Sequence, residues 1–575
     1  MTVDPRPALR LADLAERYWR AYLAHHPISA TPYGERAYDD RVDDISPAAS
    51  ERHRGHLEGL LTEARSVESA VATAPGVQPA ERVTASALID QIEMDLALLD
   101  ADVDPWTVDP IDGVQVAIFN IESFQPVATV EQGRAMVARW NALPRLLDQH
   151  RANLREALAG GRVAVHAPVE RAAEGLRDLL AQPDDAWALL APAGQDHADW
   201  APADLERFRA NLRSAVRDGI RPAMSRLLDV LVAEILPAAR SNTTPGIDTL
   251  PGGPEAYGKL VRHHTSLHAH PEAIHRVGLD EVARINGELE ALGARVLGTT
   301  DRQAILARLR SDPDLYFRTP DQVEQTAASA LARATAAVPG WFGILPRAGC
   351  EVVRMGDHEA RHGTIAYYRE PAPDGTRPGR YYINTSEPQT RPRYEAEALG
   401  YHESVPGHHL QIAVAQEVPG LPDFRRHLGV TAFWEGWALY AERLADEMGL
   451  YSGDLDRIGM LSLDAWRACR LVVDTGIHAL GWSRQRAIDY MLANTALAPN
   501  NIVNEVDRYI VWPGQALAYK TGQLEILRLR AEVAAALGAR FDVRAFHDNL
   551  LRGGALSLET AGRIVRASLG AGTGS

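Results

Sequence analysis

Apolar residues recur three and four positions apart along most of the chain, as in residues 11–19. The spacing continues to about residue 148, resumes through residue 235, and runs again from 257 to roughly 336 and after residue 402. Residues at this spacing share one face of an α-helix that packs against a core. The pattern therefore predicts a mainly α protein.

The pattern changes between about residues 350 and 385. Three short runs, 350–355, 363–368 and 380–385, are rich in β-branched and aromatic residues. Such residues are enriched in β-strands. We therefore expect a small β-sheet in this part of the chain.

Residues 241–254 form the densest group of turn-forming residues. Gly, Pro, Asn and Asp cluster where a chain leaves regular structure. With 575 residues the chain can form several domain-sized units. We predict an N-terminal helical region at 1–245 and a second helical region at 246–575 that carries the sheet.

Residues 398–411 place three imidazoles and a carboxylate at the edge of an apolar helical pattern. In zinc peptidases two imidazoles hold the ion, and the Glu beside the first is the general base. His402 and Glu403 match the start of that motif. The second imidazole belongs four positions after the first, whereas His408 and His409 follow by six and seven. A metal site here requires a deformed helix.

Pro406 and Gly407 supply the means of deformation. Pro406 has no N–H to bond the carbonyl of His402, and Gly407 tolerates unusual backbone angles. A wide turn between residues 404 and 407 would return His408 to the face of His402. His409 stays the alternative ligand, although in a straight helix it would lie about 10 Å along the axis.

A companion carboxylate follows in residues 433–442, which are apolar except for Glu435 and Glu442. The two are seven positions apart and share one helical face. A buried carboxylate needs a metal ion or a strong donor, because uncompensated desolvation costs several kcal/mol. Our hypothesis is a Zn²⁺ site of His402, His408 and Glu435 with an open position for water. With only Cys350 and Cys469 in the chain, the site must use His and carboxylate.

A strict copy of the zinc motif lies at residues 358–362. Glycines at 356 and 363 bound it, and strand-like residues flank it. A helix confined between those glycines would barely exceed one turn, which is marginal in water. We interpret this copy as a solvated loop.

The chain also resembles a bacterial domain-of-unknown-function family that is grouped with the gluzincin metallopeptidases. The resemblance rests on residues 402–411 and 435–440, and it extends to residues 250–253 and 508–520. Similarity to thimet-type and carboxypeptidase Taq-type peptidases implies a helical zincin-like fold with a deep central channel. Against those peptidases this chain has a two-residue insertion between its candidate ligands.

Further site residues are expected around this centre. By similarity to the downstream tyrosines of helical metallopeptidases, Tyr509 and Tyr519 are candidate donors to a tetrahedral oxyanion. Arg470, Asp474 and His478 share a helical face. His478 is interpreted as an oxyanion or substrate contact, and Arg470 with Asp474 either as support behind the ligands, as for Glu442, or as an internal ion pair.

The substrate contacts are predicted separately. Tyr382 and Asn384, on the last predicted strand, could hold an extended substrate by strand addition. Arg508, in the segment shared with the family, is predicted to contact substrate.

The charge and hydropathy of the chain limit the classes of partner that we expect. A formal net charge of −16 with no Lys/Arg block argues against nucleic acid. No apolar run approaches the roughly 20 residues of a membrane span, and no secretory signal is evident. We therefore expect a cytoplasmic protein whose partner is a peptide or small amide substrate, and the sequence leaves its oligomeric state open.

Three functions fit these features. The first is a zinc-dependent peptidase of intracellular peptides, with Glu403 as general base. The second keeps the metal but hydrolyses a small non-peptide amide or ester. The third is an inactive peptide-binding relative, which would have no need of Glu403.

Overall fold

Helices dominate the computed structural model, which describes residues 6–74, 76–356, 360, 364–372, 375 and 377–571. They account for 72% of the chain, which confirms the mainly α class. In the N-terminal part the helices are α1 (Arg6–His25), α2 (Pro27–Ala30), α3 (Pro47–Thr73), α4 (Pro79–Ala101), α5 (Val114–Asn120), α6 (Val130–Ala159), α7 (His166–Ala181), α8 (Pro202–Ser214), α9 (Arg221–Val230) and α10 (Leu236–Ala238). Two π-helical segments, Ala215–Ile220 and Leu231–Ile235, join α8, α9 and α10.

Helices also form most of the second part. They are α11 (Gly253–Thr265), α12 (Pro271–Val296), α13 (Arg302–Ser311), α14 (Pro320–Ala337), α15 (Ala396–Glu403), α16 (His408–Glu417), α17 (Asp423–His427), α18 (Thr431–Glu447), α19 (Asp454–Ala479), α20 (Arg484–Asn494), α21 (Pro499–Val511), α22 (Ala518–Leu537), α23 (Val543–Leu551) and α24 (Leu558–Leu569). Within the described ranges, no helix is both long and apolar enough to cross a bilayer.

Helix starts follow local capping chemistry. In α3, Pro47 is the first residue and the Ser46 side chain accepts a hydrogen bond from the Ala49 N–H. In α14, Pro320 is the first residue and Thr319 caps Gln322 in the same way. Proline at the first position loses no helical bond, and the hydroxyl satisfies an N–H that the helix leaves free.

A three-stranded sheet occupies the region where the sequence predicts strands. It contains β1 (Cys350–Arg354), β2 (Ala366–Arg369) and β3 (Gly379–Ile383). β3 is the central strand and pairs in parallel with β1, Cys350 opposite Gly379. β2 pairs with β3 in antiparallel fashion, Ala366 opposite Ile383. Among the described strands, β2 pairs with β3 only.

The largest buried apolar cluster draws on both sides of the predicted boundary at residue 245. It combines side chains of α1, α3 and α4 with those of helices between residues 282 and 571. A second cluster lies within residues 42–235. The helices that carry the candidate ligands thus share one apolar core with the first hundred residues.

Helices α18 and α22 approach each other at a pair of glycines. A Cβ on Gly436 would overlap the backbone of Gly522, and one on Gly522 would overlap the carbonyl of Ala432. Only glycine allows backbones to come this close. This contact sets the position of α18 against α22. It therefore also sets the position of Glu435, which lies next to Gly436 on α18.

Candidate metal centre

The helix that begins at residue 396 breaks after Glu403. The last regular bond runs from the Ser404 N–H to the carbonyl of Gly400 at 2.9 Å, and the His409 N–H donates across five residues to Ser404 O at 3.0 Å. The Val405–Pro406 peptide bond is cis. The predicted turn is present, and it is a full break between α15 and α16, wider than a bulge.

Gly407 packs against the end of α15. A Cβ at this position would overlap the carbonyl oxygens of Tyr401 and His402. No side chain larger than hydrogen fits there, so Gly407 lets the chain fold back on the helix that it has just left. His408 begins the next helix directly after this reversal.

The reversal brings three predicted ligands together. Nε2 of His402 and Nε2 of His408 each lie 3.6 Å from Oε2 of Glu435. The two imidazole rings are 4.8 Å apart and nearly perpendicular. One ligand atom from each residue lies within 4.8 Å of those of the other two.

This geometry fits a zinc ion. Ligand atoms about 2.1 Å from a tetrahedral zinc are about 3.4 Å from one another. The two nitrogen-to-oxygen distances of 3.6 Å are close to that value. Two imidazoles and a carboxylate leave a fourth position open, the composition of catalytic rather than structural zinc sites.

Glu442 orients His402 from one face of α18. Nδ1–H of His402 donates to Oε1 of Glu442 at 2.8 Å, and both side chains are buried. This bond fixes the tautomer that leaves Nε2 free to bind a metal. Glu442 thus bonds the ring nitrogen of His402 that points away from Glu435, and its supporting role behind the candidate ligands stays a prediction.

The ligands also perturb one another's pKa values. Burial lowers the pKa of His402, but the carboxylates of Glu435 and Glu442 outweigh it and raise the pKa to about 9. Burial raises the pKa of Glu435, but its contacts with His402 and His408 hold the pKa well below the ordinary value. Both pKa shifts indicate that the space between these side chains stabilises a positive charge.

His409 faces away from this point. Its Nδ1 accepts a hydrogen bond from the hydroxyl of Tyr368 at 2.9 Å, and its Nε2–H donates to Ala348 O at 3.0 Å. Burial lowers its pKa to about 4, so the ring is neutral. The structure thus places the alternative ligand against the sheet with both nitrogens in use.

The three candidate ligands open onto a cavity of about 490 Å³. Glu403 lines it beside His402, together with residues 364–368 along β2. Tyr519 and Arg508 line it from the C-terminal helices. No hydrogen bond to the Tyr519 hydroxyl occurs within the described part of the chain. The candidate general base, a candidate oxyanion donor and the edge strand therefore line one cavity.

Two predicted catalytic groups lie elsewhere. The hydroxyl of Tyr509 donates to Glu505 and accepts from Arg470 and Trp466, so its capacity is used. His478 accepts at Nδ1 from the Ile247 N–H and donates from Nε2 to Tyr509 O. Burial lowers the pKa of His478 to about 3. Neither side chain lines the cavity, which corrects the predicted roles of Tyr509 and His478.

The predicted pairing of Arg470 with Asp474 is wrong. Asp474 accepts from the Tyr257 hydroxyl at 2.5 Å and from the Gly514 N–H at 3.1 Å. Burial raises its pKa to about 7. Arg470 instead pairs with Glu505 at 2.9 Å. The two residues follow each other by one helical turn, but each finds a partner on another element.

Strand addition to β3 is also excluded by the sheet. β3 is central, so both of its edges are already paired. Asn384 donates to the carbonyls of Ala360 and Thr364, so its side-chain amide is already bonded within the protein. The Tyr382 ring stacks on Tyr367 at 4.8 Å. Of the described strands, β2 is the edge strand whose residues line the cavity.

The sequence alone did not single out Arg467 and Glu505, which also line the cavity. Both had a signal. Arg467 precedes Arg470 by three positions on one helical face, and Glu505 precedes Arg508 by three.

Of the strict motif copy at 358–362, only Ala360 lies within the described residues. A second group of imidazoles, His25, His26 and His53, brings its nitrogens within 4.8 Å of one another. The His25 and His53 rings stack 3.8 Å apart at an angle of 12°. The in-plane lone pairs of parallel rings do not converge on one ion, so this group is the poorer metal site.

Comparisons with known proteins bear on the whole chain. The family model described as "Bacterial protein of unknown function (DUF885)" matches residues 27–565. The structure described as "the putative lipoprotein from Colwellia psychrerythraea" is similar with a TM-score of 0.90 and 26% identity, over 98% of this chain and 99% of that one. A structure described as "a putative lipoprotein of unknown function from Shewanella oneidensis" has a TM-score of 0.72 and 16% identity, over 96% and 99%. No curated protein matches.

Proposed function

The chain belongs to the DUF885 family of bacterial proteins of unknown function, and from that premise we propose that it is a zinc-dependent peptidase. The observation that carries the proposal is the convergence of His402, His408 and Glu435 beside Glu403 in one cavity. The resemblance of residues 402–411 and 435–440 to gluzincin peptidases supports the same activity.

The chain's own residues divide the reaction. A zinc ion held by His402, His408 and Glu435 would supply Lewis acidity to the water and to the scissile carbonyl. Glu403 takes the proton of the attacking water and passes it to the leaving amine. Tyr519 donates a hydrogen bond to the oxyanion as the carbonyl carbon becomes tetrahedral.

The substrate lies along β2. Its extended backbone forms hydrogen bonds with β2 on the side of that strand that faces away from β3, since residues 366–368 line the cavity. This arrangement presents a peptide carbonyl to the metal centre. A cavity of about 490 Å³ admits a short peptide and excludes folded proteins.

A second proposed function uses the same candidate metal centre and the same cavity. Cavities of roughly 300–1,000 Å³ also suit small molecules, so a small amide or ester is the alternative substrate. The cytoplasmic location stays a prediction, and the two neighbours described as lipoproteins are a reason to test it by cell fractionation.

The test combines metal analysis with cleavage. Purified protein should hold about one zinc per chain, and zinc-loaded protein should cleave members of a mixed peptide library. Glu403→Gln should keep the metal and lose cleavage by at least about 100-fold, the usual worth of a general base. Glu559→Gln, on the exposed start of α24, is the matched control. Equal cleavage by wild type and Glu403→Gln would contradict the proposed peptidase activity.

A further inference from the structure

Two buried arginines line the cavity that holds the candidate metal centre. Arg467 and Arg470 lie three positions apart on α19, and their exposed fractions are 4% and 2%. Both guanidinium groups pack on the indole of Trp466, at 4.3 and 4.4 Å from its centroid. Two desolvated cations in one cavity wall require negative counter-charges.

Arg467 lacks a directly bonded counter-charge in the described part of the chain. Its one hydrogen bond in the described structure is a long one, from Nη1 to Leu463 O at 3.4 Å, and its Nε has no partner. It forms no ion pair with a described carboxylate. Glu395 lines the same cavity and interacts with Arg467 electrostatically, but it forms no direct bond with that guanidinium group and accepts its hydrogen bond from Ser462.

Arg470 is only partly satisfied. Its Nε donates to the Tyr509 hydroxyl and its Nη2 to Glu505, while Nη1 is buried without a partner. Glu505 is shared, because Arg508 pairs with the same carboxylate at 3.2 Å. Two guanidinium groups, those of Arg470 and Arg508, thus share one carboxylate at this wall.

An unpaired buried charge costs several kcal/mol. A protein that retains such charges in a binding cavity gains from them when a ligand supplies the missing anion. Peptides carry one anion in common, the carboxylate, either at the C-terminus or on an acidic side chain.

Building on the proposed function, we propose that Arg467 and Arg470 form a subsite for a carboxylate of the substrate. A peptide anchored there by its C-terminal carboxylate while its carbonyl reaches the metal centre is cut near that end. Trp466 and Tyr519 hold the guanidinium planes, since Arg470 also packs 4.2 Å from the centroid of Tyr519.

Binding is tested with zinc-loaded Glu403→Gln protein by calorimetry. N-acetyl-trialanine with a free C-terminus is compared with its C-terminal amide, and N-acetyl-Ala-Asp-Ala-amide with N-acetyl-Ala-Asn-Ala-amide. We expect one acidic member to bind at least about tenfold more tightly, the usual worth of a charged hydrogen bond. The pair that discriminates identifies the source of the carboxylate. Equal affinity within both pairs, or binding of none of the four, would overturn the subsite.

Arginine variants assign the effect. In the same protein, Arg467→Gln and Arg470→Gln should each abolish the preference, and Arg467→Lys should keep part of it. Arg457→Gln, on the same helix but paired with Asp446 outside the cavity, is the control. A preference that survives in both glutamine variants overturns the assignment.

Stability separates a binding role from a structural one. Arg467→Met removes a buried charge without an ion-pair partner and should leave the midpoint of thermal unfolding unchanged or raised. A clear loss of stability would make Arg467 a structural residue and contradict the proposal.

Cleavage by the wild type separates this inference from the proposed function. Cleavage of acid and amide peptides at equal kcat/KM would keep the peptidase and refute the subsite. No cleavage, together with selective binding of the acids, would refute the peptidase and keep the subsite.

Discussion

The indole Nε1 of Trp437 donates a hydrogen bond to the carbonyl oxygen of Pro406 at 2.9 Å. Trp437 lies two positions after Glu435 on α18, and Pro406 lies in the break between α15 and α16. One buried bond therefore ties the helix of the candidate ligand Glu435 to the turn that positions His408. Helix break and ligand helix form one unit.

We expect Trp437→Phe to loosen this unit. The variant keeps an aromatic ring but leaves the Pro406 carbonyl without its donor, at a cost of about 1–3 kcal/mol. Chemical denaturation of the metal-free protein should show that loss, and zinc affinity should fall as well. Trp512→Phe, at a partly exposed position, is the control. Unchanged zinc affinity in a destabilised Trp437→Phe would uncouple the bond from the metal centre.

The two candidate second ligands make opposite predictions. His408→Ala should remove bound zinc, since Nε2 of His408 faces Glu435. His409→Ala should retain zinc and lower stability, because it leaves the Tyr368 hydroxyl and Ala348 carbonyl unpaired. Metal analysis after dialysis measures the first effect and thermal unfolding the second. Zinc retained in His408→Ala and lost in His409→Ala would reverse the ligand set.

Glu442→Gln should weaken metal binding without removing a ligand. The carboxylate fixes the orientation of His402, and losing such a partner costs about 10–100-fold in metal affinity. Competition with a zinc chelator gives the number. Glu447→Gln, near the end of the same helix and paired with Arg530, should bind zinc like the wild type. A wild-type affinity in Glu442→Gln would mean that packing alone holds His402.

Glu505 should make stability depend on pH. Burial raises its pKa, but Arg470 and Arg508 outweigh burial and lower the pKa from 4.5 to about 2. A depressed folded pKa means a contribution that is complete above about pH 4.5 and is lost as the pH falls toward 2.

Glu505→Gln removes that contribution. The variant should be about 3 kcal/mol less stable than wild type at pH 7, because two buried guanidinium groups lose their carboxylate. At pH 3 the difference should shrink to roughly half. Urea denaturation of both proteins at the two pH values measures it. A difference that grows in acid would show that Glu505 is protonated in the folded protein.

Much of the site could be predicted from residues that are close together in the sequence. The break at residues 404–407 follows from a missing N–H at Pro406 and the small size of Gly407, which are local properties. The positions of Glu435 and Glu442 on one face follow from helical periodicity. The sheet followed from β-branched and aromatic runs.

Tertiary packing decided the rest. His408 and His409 are adjacent in sequence, yet one faces Glu435 and the other Tyr368, because the turn after residue 403 sets the rotation of α16. The fates of Tyr509, His478 and Asp474 depended on partners from other elements.

The sequence by itself therefore determined the helical class, the place of the sheet and the candidate ligands, since propensity and periodicity act within a few residues. Only the tertiary structure decided which candidates share a cavity. It also brought Arg467 and Arg470 of α19 to the wall of that cavity, a placement that depends on how α19 packs against distant segments. No pattern along the chain records that packing.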